Sequence, residues 1–372
     1  MREMHIGLVG PLPPPSGGMA NQTRQLERLL RSEGLDVELV PTNAPYKPGW
    51  IGKFRGIRAL FRLLPYLWRL WHTAGRVDLF HVMANSGWSW HLFVAPAIWM
   101  GWLRRTPVVV NYRGGEAEAF FQKSFRWVQP SLKRVAAVVV PSDFLARIFR
   151  ERGIEVHIVK NIIDIDRFAW DGRRSQQQPD APHLLVTRNL EPIYDIGTAL
   201  RAFQRVHTAF PGARLTVCGS GPERERLVAL AGELELVEAV TFTGRLENDS
   251  MAGLYQSADV MINPSLVDNM PVSILEALAC GVPVVTTDVG GVPYLVTHEK
   301  TALLVSPGDD QAMAQAVISL LRDPALGDRL VKAGLAEIDD YAWPRVRRQL
   351  FAVYEAVLAN TVKDNPGQQD AR

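Results

Sequence analysis

Short apolar runs, each closed by glycine, proline, aspartate or asparagine, recur along the chain and alternate with segments of helical period. In the first half they fall at 6–9, 37–40, 79–82, 108–111, 137–140 and 156–159. A second series occupies 183–186, 215–217, 240–242, 260–263, 282–285 and 302–305. Runs that are apolar at every position suit strands buried on both faces, and alternation with helices makes their sheets parallel. Two such series predict two doubly wound α/β domains. The stretch 171–182 has no hydrophobic period and reads as a linker. The predicted division is therefore 1–170, the linker 171–182, 183–341, a last helix at 342–360 and a disordered polar tail at 361–372. In the last helix Val346, Leu350, Val353, Tyr354 and Val357 keep helical spacing.

Composition narrows the class. A length of 372 residues suits two domains, and 47% hydrophobic with 22% charged residues is the balance of a folded chain. A formal net charge of +2 gives no argument for nucleic acid as a partner. Cys218 and Cys280 have neither metal-ligand spacing nor the numbers for a disulfide framework, which fits a reducing compartment. The start of the chain reads as a strand followed by glycine and proline, not as a signal peptide. Residues 86–103 lack formal charge but include Ser86, Ser89, His91 and Pro96, so they are expected to form a buried or membrane-facing helix rather than a span.

The segment 51–76 contains no acid. On a helical projection Arg55, Arg58, Arg62, Arg69 and Arg76 fall in a stripe of roughly 60°, opposite Leu60, Leu64, Leu67, Trp68 and Trp71. Pro65 is expected to kink or split the helix. Two readings compete. A basic stripe with paired tryptophans suits contact with an anionic membrane surface through Arg55, Arg58, Arg62, Trp68, Arg69 and Trp71. The plain alternative is a solvated basic face whose apolar side packs on the sheet.

The densest chemistry lies between Ser265 and Val285. Asp268, Asn269, Met270 and Pro271 lead into a short helix that contains Glu276 and stops at Gly281. Pro271 suits the first helical turn and Gly281 the stop. The free N–H groups of such a helix start favour anions, and two nearby carboxylates suit hydroxyls, so a nucleotide sugar fits both. The same residues also fit an ordinary loop–helix–strand unit. Gly17 and Gly18, after the first strand, let backbone N–H groups approach a phosphate closely, but they do not form a dinucleotide-binding fingerprint. Cys218-Gly219-Ser220-Gly221 repeats that arrangement and is equally compatible with a tight turn. Arg188 closes a strand on the same sheet edge as Asp268, where a guanidinium would suit a diphosphate. His81 and His91 lack metal-ligand spacing and read as structural, and Asp164-Ile165-Asp166 reads as a turn. No metal site is expected.

Taken in order, these pieces resemble the retaining nucleotide-sugar glycosyltransferases of family four, the group 1 glycosyl transferases. The resemblance runs from Pro15-Ser16-Gly17-Gly18 through Asp78 to His81, Pro141-Ser142, Asn161 to Asp164 with Phe168, and Arg188. It continues through Gly219 to Gly221, Phe242 to Gly244, Ala258 to Ser265, Asp268 with Glu276, Gly281 to Val285, Gly290-Gly291 and Leu304 to Asp309. It implies the GT-B fold, two Rossmann-like domains facing a central cleft, the first on the acceptor side and the second binding the donor. The last helix would cross back to the first domain. Glu276 would hold the donor's ribose, and Asp268 with the backbone of Asn269, Met270 and Pro271 its sugar. Arg188, Gly219 and the Gly17–Gly18 turn would belong to the donor site, with the diphosphate on Arg188 and that turn.

Three departures qualify the resemblance. The first acid is Asp268 where the family has Glu. Ile193-Tyr194-Asp195 stands where the family has a lysine about five residues after the arginine. Tyr112-Arg113-Gly114-Gly115 stands where a histidine is common. Arg113 is expected to replace part of the lost positive charge, giving Arg188, Asp268 and Arg113 as the catalytic set.

The implied activity is retaining, metal-independent transfer from a nucleoside-diphosphate sugar to a lipid-linked or growing glycan acceptor, in bacterial surface polysaccharide or glycolipid synthesis. No cofactor is expected beyond the donor substrate. The implied location is cytoplasmic, at the inner face of the plasma membrane. A nucleotide-sugar epimerase of the same architecture and a non-catalytic nucleotide-sugar-binding partner are the alternatives.

Overall fold

The computed structural model describes residues 4–14, 17–44, 58–170, 172, 180–246 and 248–364, without the side chains of 58–60, 248–249 and 362–364. Arg55 lies outside the described residues, and Arg58 is described only as helical backbone. The chain forms two compact units, Met1–Ile162 with Val346–Arg372, and Ile163–Arg345. The division thus falls ahead of the polar stretch 171–182. Phe168 packs with Tyr255 and Cys280 of the second unit, and Trp170 lies against Gly281.

The first unit holds strands β1 (His5–Gly10), β2 (Asp36–Pro41), β3 (Leu79–Ala84), β4 (Val108–Tyr112), β5 (Ala137–Val140) and β6 (His157–Ile158). Its helices are α1 (Gly18–Ser32), α2 (Arg58–Ala74), α3 (Ala95–Leu103), α4 (Ala117–Leu132) and α5 (Asp143–Arg150). The sheet runs parallel in the order β2-β1-β3-β4-β5-β6. Alternate residues on its strands face different layers. Phe80, Val82, Val110 and Tyr112 join Tyr66, Leu70, Trp90, Phe121 and Phe149 in one core. On β3 and β4 the intervening His81 and Asn111 meet the other layer.

The second unit holds β7 (His183–Thr187), β8 (Arg214–Cys218), β9 (Val240–Gly244), β10 (Val260–Asn263), β11 (Val284–Thr287) and β12 (Leu303–Val305). Its helices are α6 (Ile196–Ala209), α7 (Arg224–Glu233), α8 (Asn248–Gln256), α9 (Val272–Ala279), α10 (Asp310–Arg322) and α11 (Pro324–Ile338). The strands are again parallel, ordered β12-β11-β10-β7-β8-β9. Leu184 and Val186 pack under α6 and α10, while Leu185 and Met261 pack under α9, so β7 is buried on both faces as its apolar run predicts. A final helix, α12 (Trp343–Asp364), contributes Val346 onward to the first unit. It reaches beyond the predicted end at 360, so its last residues are helical rather than tail. Near its start Arg347 pairs with Glu33, which follows α1.

Two expectations for α2 change. It is not split: Arg58–Ala74 is one helix with Pro65 inside it. Proline cannot donate to the preceding turn, and Pro65 is exposed, so water can satisfy the carbonyl left over. The packed side is Leu63, Tyr66, Leu70 and Ala74, not the stripe of Leu64, Trp68 and Trp71, which is exposed together with Phe61. Among the described residues, no helix is long and apolar enough to cross a membrane.

Candidate functional site

In an open parallel sheet, connections leave neighbouring strands in opposite directions at one place, and the crevice there is the usual ligand site. In the second unit that place lies between β7 and β10. Arg188 is the first residue after β7, and Asp268 lies in the loop after β10. Their side chains form an ion pair, Arg188 Nη2 donating to Asp268 Oδ2. Asp268 Oδ2 also accepts from Ser265 Oγ at 3.1 Å, and Oδ1 accepts from the Asn269 N–H at 3.0 Å. The guanidinium lies 4.1 Å from the centre of the Tyr194 ring. Its Nε–H is buried and has no partner among the described residues. Leaving such a donor unsatisfied costs about 1–3 kcal/mol, which a ligand oxygen accepting from it would offset.

Glycines hold the backbone of both residues. A Cβ at Gly219 or Gly221 would collide with the carbonyl of Arg188 or Leu190. A Cβ at Gly290 or Gly291 would collide with the carbonyl of Asp268 or Asn269, and Gly291 N–H donates to Asp268 O at 3.1 Å. Gly219 therefore has a packing role, supporting the turn that carries Arg188.

Glu276 enters from α9. Pro271 is the residue preceding this helix, with ψ at 113°, rather than part of its first turn. Gly281 follows its end with φ at +70°. Met270 contributes its side chain to the core. Glu276 Oε2 accepts from the Tyr255 hydroxyl at 2.8 Å, and that hydroxyl accepts from Thr187 Oγ1 at 2.8 Å. Burial pushes the Glu276 carboxyl up to about 7, against the pull of Tyr255, Arg167 and Arg188. The buried Ser273 Oγ, on the second residue of α9, has no partner among the described residues.

In the first unit the corresponding place lies between β1 and β3. Gly17 precedes α1 in extended conformation, and among the described residues a Cβ at Gly17 or Gly18 would meet nothing within 4 Å. The space beside them is open to a ligand. Arg113 follows β4. Its Nε donates to Asn111 Oδ1 at 3.1 Å, and its Nη1 donates to Gln22 Oε1 at 2.9 Å and to Asn161 Oδ1. These partners are all amide oxygens, so the guanidinium is fixed without being neutralised. Burial pushes it down only to about 10, and it stays cationic near neutrality.

His81 and His91 have structural surroundings. His81 is buried between Asn111 and Tyr354, and His91 packs edge-on against Phe120. Asp164 sits in a turn and accepts from the Arg167 N–H at 3.1 Å. No cluster of three metal-ligating side chains occurs among the described residues. Of the supposed membrane residues, Trp68, Arg69 and Trp71 are exposed. Arg62 is not on that face: it lines a cavity.

Sequence reasoning brought Arg188, Asp268 and Glu276 to one sheet edge but missed Tyr194, Tyr255 and Thr187, which position them. It also missed Gln22, Asn111 and Asn161 around Arg113. The signal that was available was polarity at buried positions: Gln22 in an apolar helix face, and Asn111 at the end of an apolar run.

The sequence model for glycosyl transferases group 1 matches residues 170–336, and that for glycosyltransferase family 4 matches residues 16–167. A glycogen synthase of Mycobacterium tuberculosis is 30% identical over 60% of this chain, and the match spans only 54% of that protein. A phosphatidyl-myo-inositol mannosyltransferase of Mycobacterium leprae is 27% identical over 97% of this chain and 99% of its own length. The crystal structure of Anabaena HepE in complex with UDP-glucose superimposes with a TM-score of 0.71 at 19% identity, covering 96% of this chain and 100% of that one.

Proposed function

The chain belongs to the group 1, family 4 glycosyltransferases and has their GT-B fold, and from that premise we propose that it moves a sugar from a nucleoside diphosphate to a lipid-linked or growing glycan acceptor with retention of configuration. The buried Nε–H of Arg188, unpartnered among the described residues, carries the donor half of this reading. It sits where the second sheet changes direction and where a diphosphate oxygen would complete its bonding. Asp268, held by Arg188, Ser265 and its own loop, would accept from sugar hydroxyls. Glu276 would accept from the ribose. The HepE complex with UDP-glucose, a protein of the same fold, supports a nucleotide sugar as the ligand class.

In the proposed reaction the bond between the anomeric carbon and the diphosphate oxygen breaks, and an acceptor hydroxyl oxygen bonds to that carbon on the same face. The hydroxyl proton passes to the departing phosphate. Negative charge grows on the diphosphate, so donors already aimed at it lower the barrier. Arg188, Arg113 and the backbone N–H groups after Gly17 take that role. Thus the reading requires neither a cofactor nor a metal ligand set.

The acceptor half rests on the name of the mannosyltransferase relative and on exposed Phe61, Leu64, Trp68 and Trp71 beside Arg69, a face suited to the surface of an anionic membrane. We place the protein at the cytoplasmic face of that membrane, in polysaccharide or glycolipid synthesis.

The test is a panel of nucleoside-diphosphate sugars incubated with and without a bacterial lipid extract, following nucleoside diphosphate release and the anomeric proton coupling of the product. Acceptor-dependent release with retained configuration is expected. Conversion of the donor without acceptor would indicate an epimerase. Donor binding with neither reaction would indicate a binding partner, and an inverted product would remove the retaining mechanism.

A further inference from the structure

Three helices packed on one face of the first sheet, α2, α3 and α4, are joined at their C-terminal ends by alternating tryptophan and arginine. Gly75, just past α2, has no side chain, and the Arg104 guanidinium occupies the space where a Cβ would stand. Arg104, just past α3, thereby reaches Trp71 on α2 and lies 4.8 Å from its ring centre. The Thr106 hydroxyl donates to Ala74 O and fixes the same two helix ends together. Across α3, Arg134 from the end of α4 lies 4.0 Å from the Trp99 ring centre and 4.9 Å from that of Trp102. Trp99 Nε1 donates to Ser131 Oγ of α4 at 3.1 Å, and Arg134 Nη1 donates to Pro130 O at 2.6 Å. Stacking on indole holds each guanidinium in place without neutralising it.

This belt widens the exposed apolar stripe of α2 into a surface. Trp102 and Leu103 at the end of α3 are 50% and 54% exposed, and Trp127, one turn before Ser131, is 65% exposed. The surface is also one-signed. Residues 58–134 hold eleven lysines and arginines against three acids, in a chain whose totals are 41 and 39. Of the three, Asp78 accepts from the His5 N–H, and Glu116 and Glu118 stand at the other end of α4. Large apolar side chains left in water mark a docking surface, and this charge excess selects an anionic one. Tryptophan settles at the headgroup level of a bilayer, where a guanidinium beside it can bond lipid phosphate. Resting on the membrane placement above, we propose that the protein docks on anionic phospholipid through this three-helix face. Trp102, Leu103 and Trp127 enter the headgroup region, and Arg104 and Arg134 pair with lipid phosphates. The belt lies beside the starts of β3, β4 and β5, whereas Gly17 and Arg113 follow strand ends, so docking here leaves the ligand edge of the sheet uncovered.

The experiment uses the full chain with an environment-sensitive fluorophore on Leu103→Cys, on Trp127→Cys, or on Val237→Cys, an exposed apolar position of the second unit. Both native cysteines are buried, so the label reads the introduced position. Phosphatidylglycerol vesicles should shift the emission of the first two labels to the blue and leave the third unchanged. Phosphatidylcholine vesicles should shift none of them. Flotation then gives affinity for unlabelled variants. Arg104→Gln with Arg134→Gln should weaken binding to phosphatidylglycerol roughly 10–30-fold, since each basic residue at an anionic surface adds about fivefold. The paired Arg→Lys variant, which keeps both charges, should retain most of the binding. Trp102→Ser with Leu103→Ser, at exposed positions that the core does not need, should weaken it with the melting temperature unchanged.

Undiminished flotation of the belt variants would overturn the proposal and leave membrane placement resting on the α2 stripe alone. Failure of the parent protein to bind phosphatidylglycerol would overturn both. A blue shift at Leu103→Cys that appears without lipid as protein concentration rises would make the face an interface between copies of the chain, again against the proposal. Stabilisation by the nucleotide sugar is measured on the parent in the absence of vesicles. Its loss would count against the transferase reading and not against the docking face.

Discussion

Arg188 lies 4.1 Å from the ring centre of Tyr194, in a segment where the family's second cation is missing. The aromatic face and the Asp268 carboxylate together hold the guanidinium, with Nε buried and unpartnered among the described residues. A lysine cannot reproduce this, since it has neither the planar fork nor the stacking surface. Arg188→Lys should lower kcat roughly 10²–10³-fold with a smaller change in KM for the donor. Tyr194→Leu, which leaves the charge but removes its support, should cost about tenfold. Initial rates at saturating donor separate the two. Equal losses would mean that Tyr194 touches the donor itself.

Glu276 gives a pH dependence whose sign can be worked out. Its carboxyl is raised to about 7 by burial, and ribose hydroxyls would donate to the ionised form. Donor affinity should therefore increase as pH rises through 7 and weaken below it. The unliganded protein should behave in the opposite sense. With its folded pKa above the unfolded value, Glu276 binds a proton more tightly in the native state, so its contribution to stability falls as pH climbs from about 4.5 towards 7. Glu276→Gln should then stabilise the unliganded protein at pH 8 by on the order of 1–3 kcal/mol while abolishing donor stabilisation. Thermal melts at pH 6 and pH 8, with and without donor, test both halves. A variant less stable than the parent at pH 8 would refute the burial argument.

The fold was legible because its strands are apolar at every position and its helices are not. Leu184 and Leu185 on one strand enter opposite cores, and only a two-sided strand needs both to be apolar. Arg188 and Asp268 were legible as residues at strand ends. Their pairing was not, because 80 residues separate them and sheet order decides which strand ends are neighbours. Arg62 was misplaced for a different reason. A helical projection shows which residues share a stripe but not which side the sheet covers, and here the covered side centres on Tyr66 and Leu70. Pro65 does not split α2 because an exposed carbonyl can turn to water without breaking the helix.

Gly290 links stability to the site. Its φ of +52° is a left-handed conformation, and a Cβ there would strike the Asp268 carbonyl. Gly290→Ala must displace the loop that carries Asp268. It should destabilise the protein by about 1–3 kcal/mol and reduce turnover well beyond that loss of folded protein. Gly17→Ala, at a position of extended backbone with open space, should leave the melting temperature unchanged. If donor phosphates approach Gly17, its KM for the donor rises all the same. Calorimetry and rate measurements on the two variants distinguish packing glycine from ligand glycine.

The polar network in the first unit has forced proton positions, and these give the last prediction. Arg113 Nε can only donate, so Asn111 turns its carbonyl oxygen to Arg113 and its amide nitrogen to His81 Nε2 at 3.1 Å. His81 must then carry its proton on Nδ1 and donate it to the Tyr354 hydroxyl at 2.7 Å. Burial, helped by the Arg113 charge, holds His81 down to about 3, so it stays neutral and this arrangement persists throughout the physiological range. Tyr354→Phe removes the acceptor for His81 but leaves all three partners of Arg113. It should cost about 1–3 kcal/mol of stability with little change in kcat. Asn111→Leu breaks both bonds, and should lose stability by a similar amount and turnover as well, because Arg113 is no longer held at Nε. If Arg113 has no part in stabilising the departing phosphate, the two variants will be equally active once matched for folded protein.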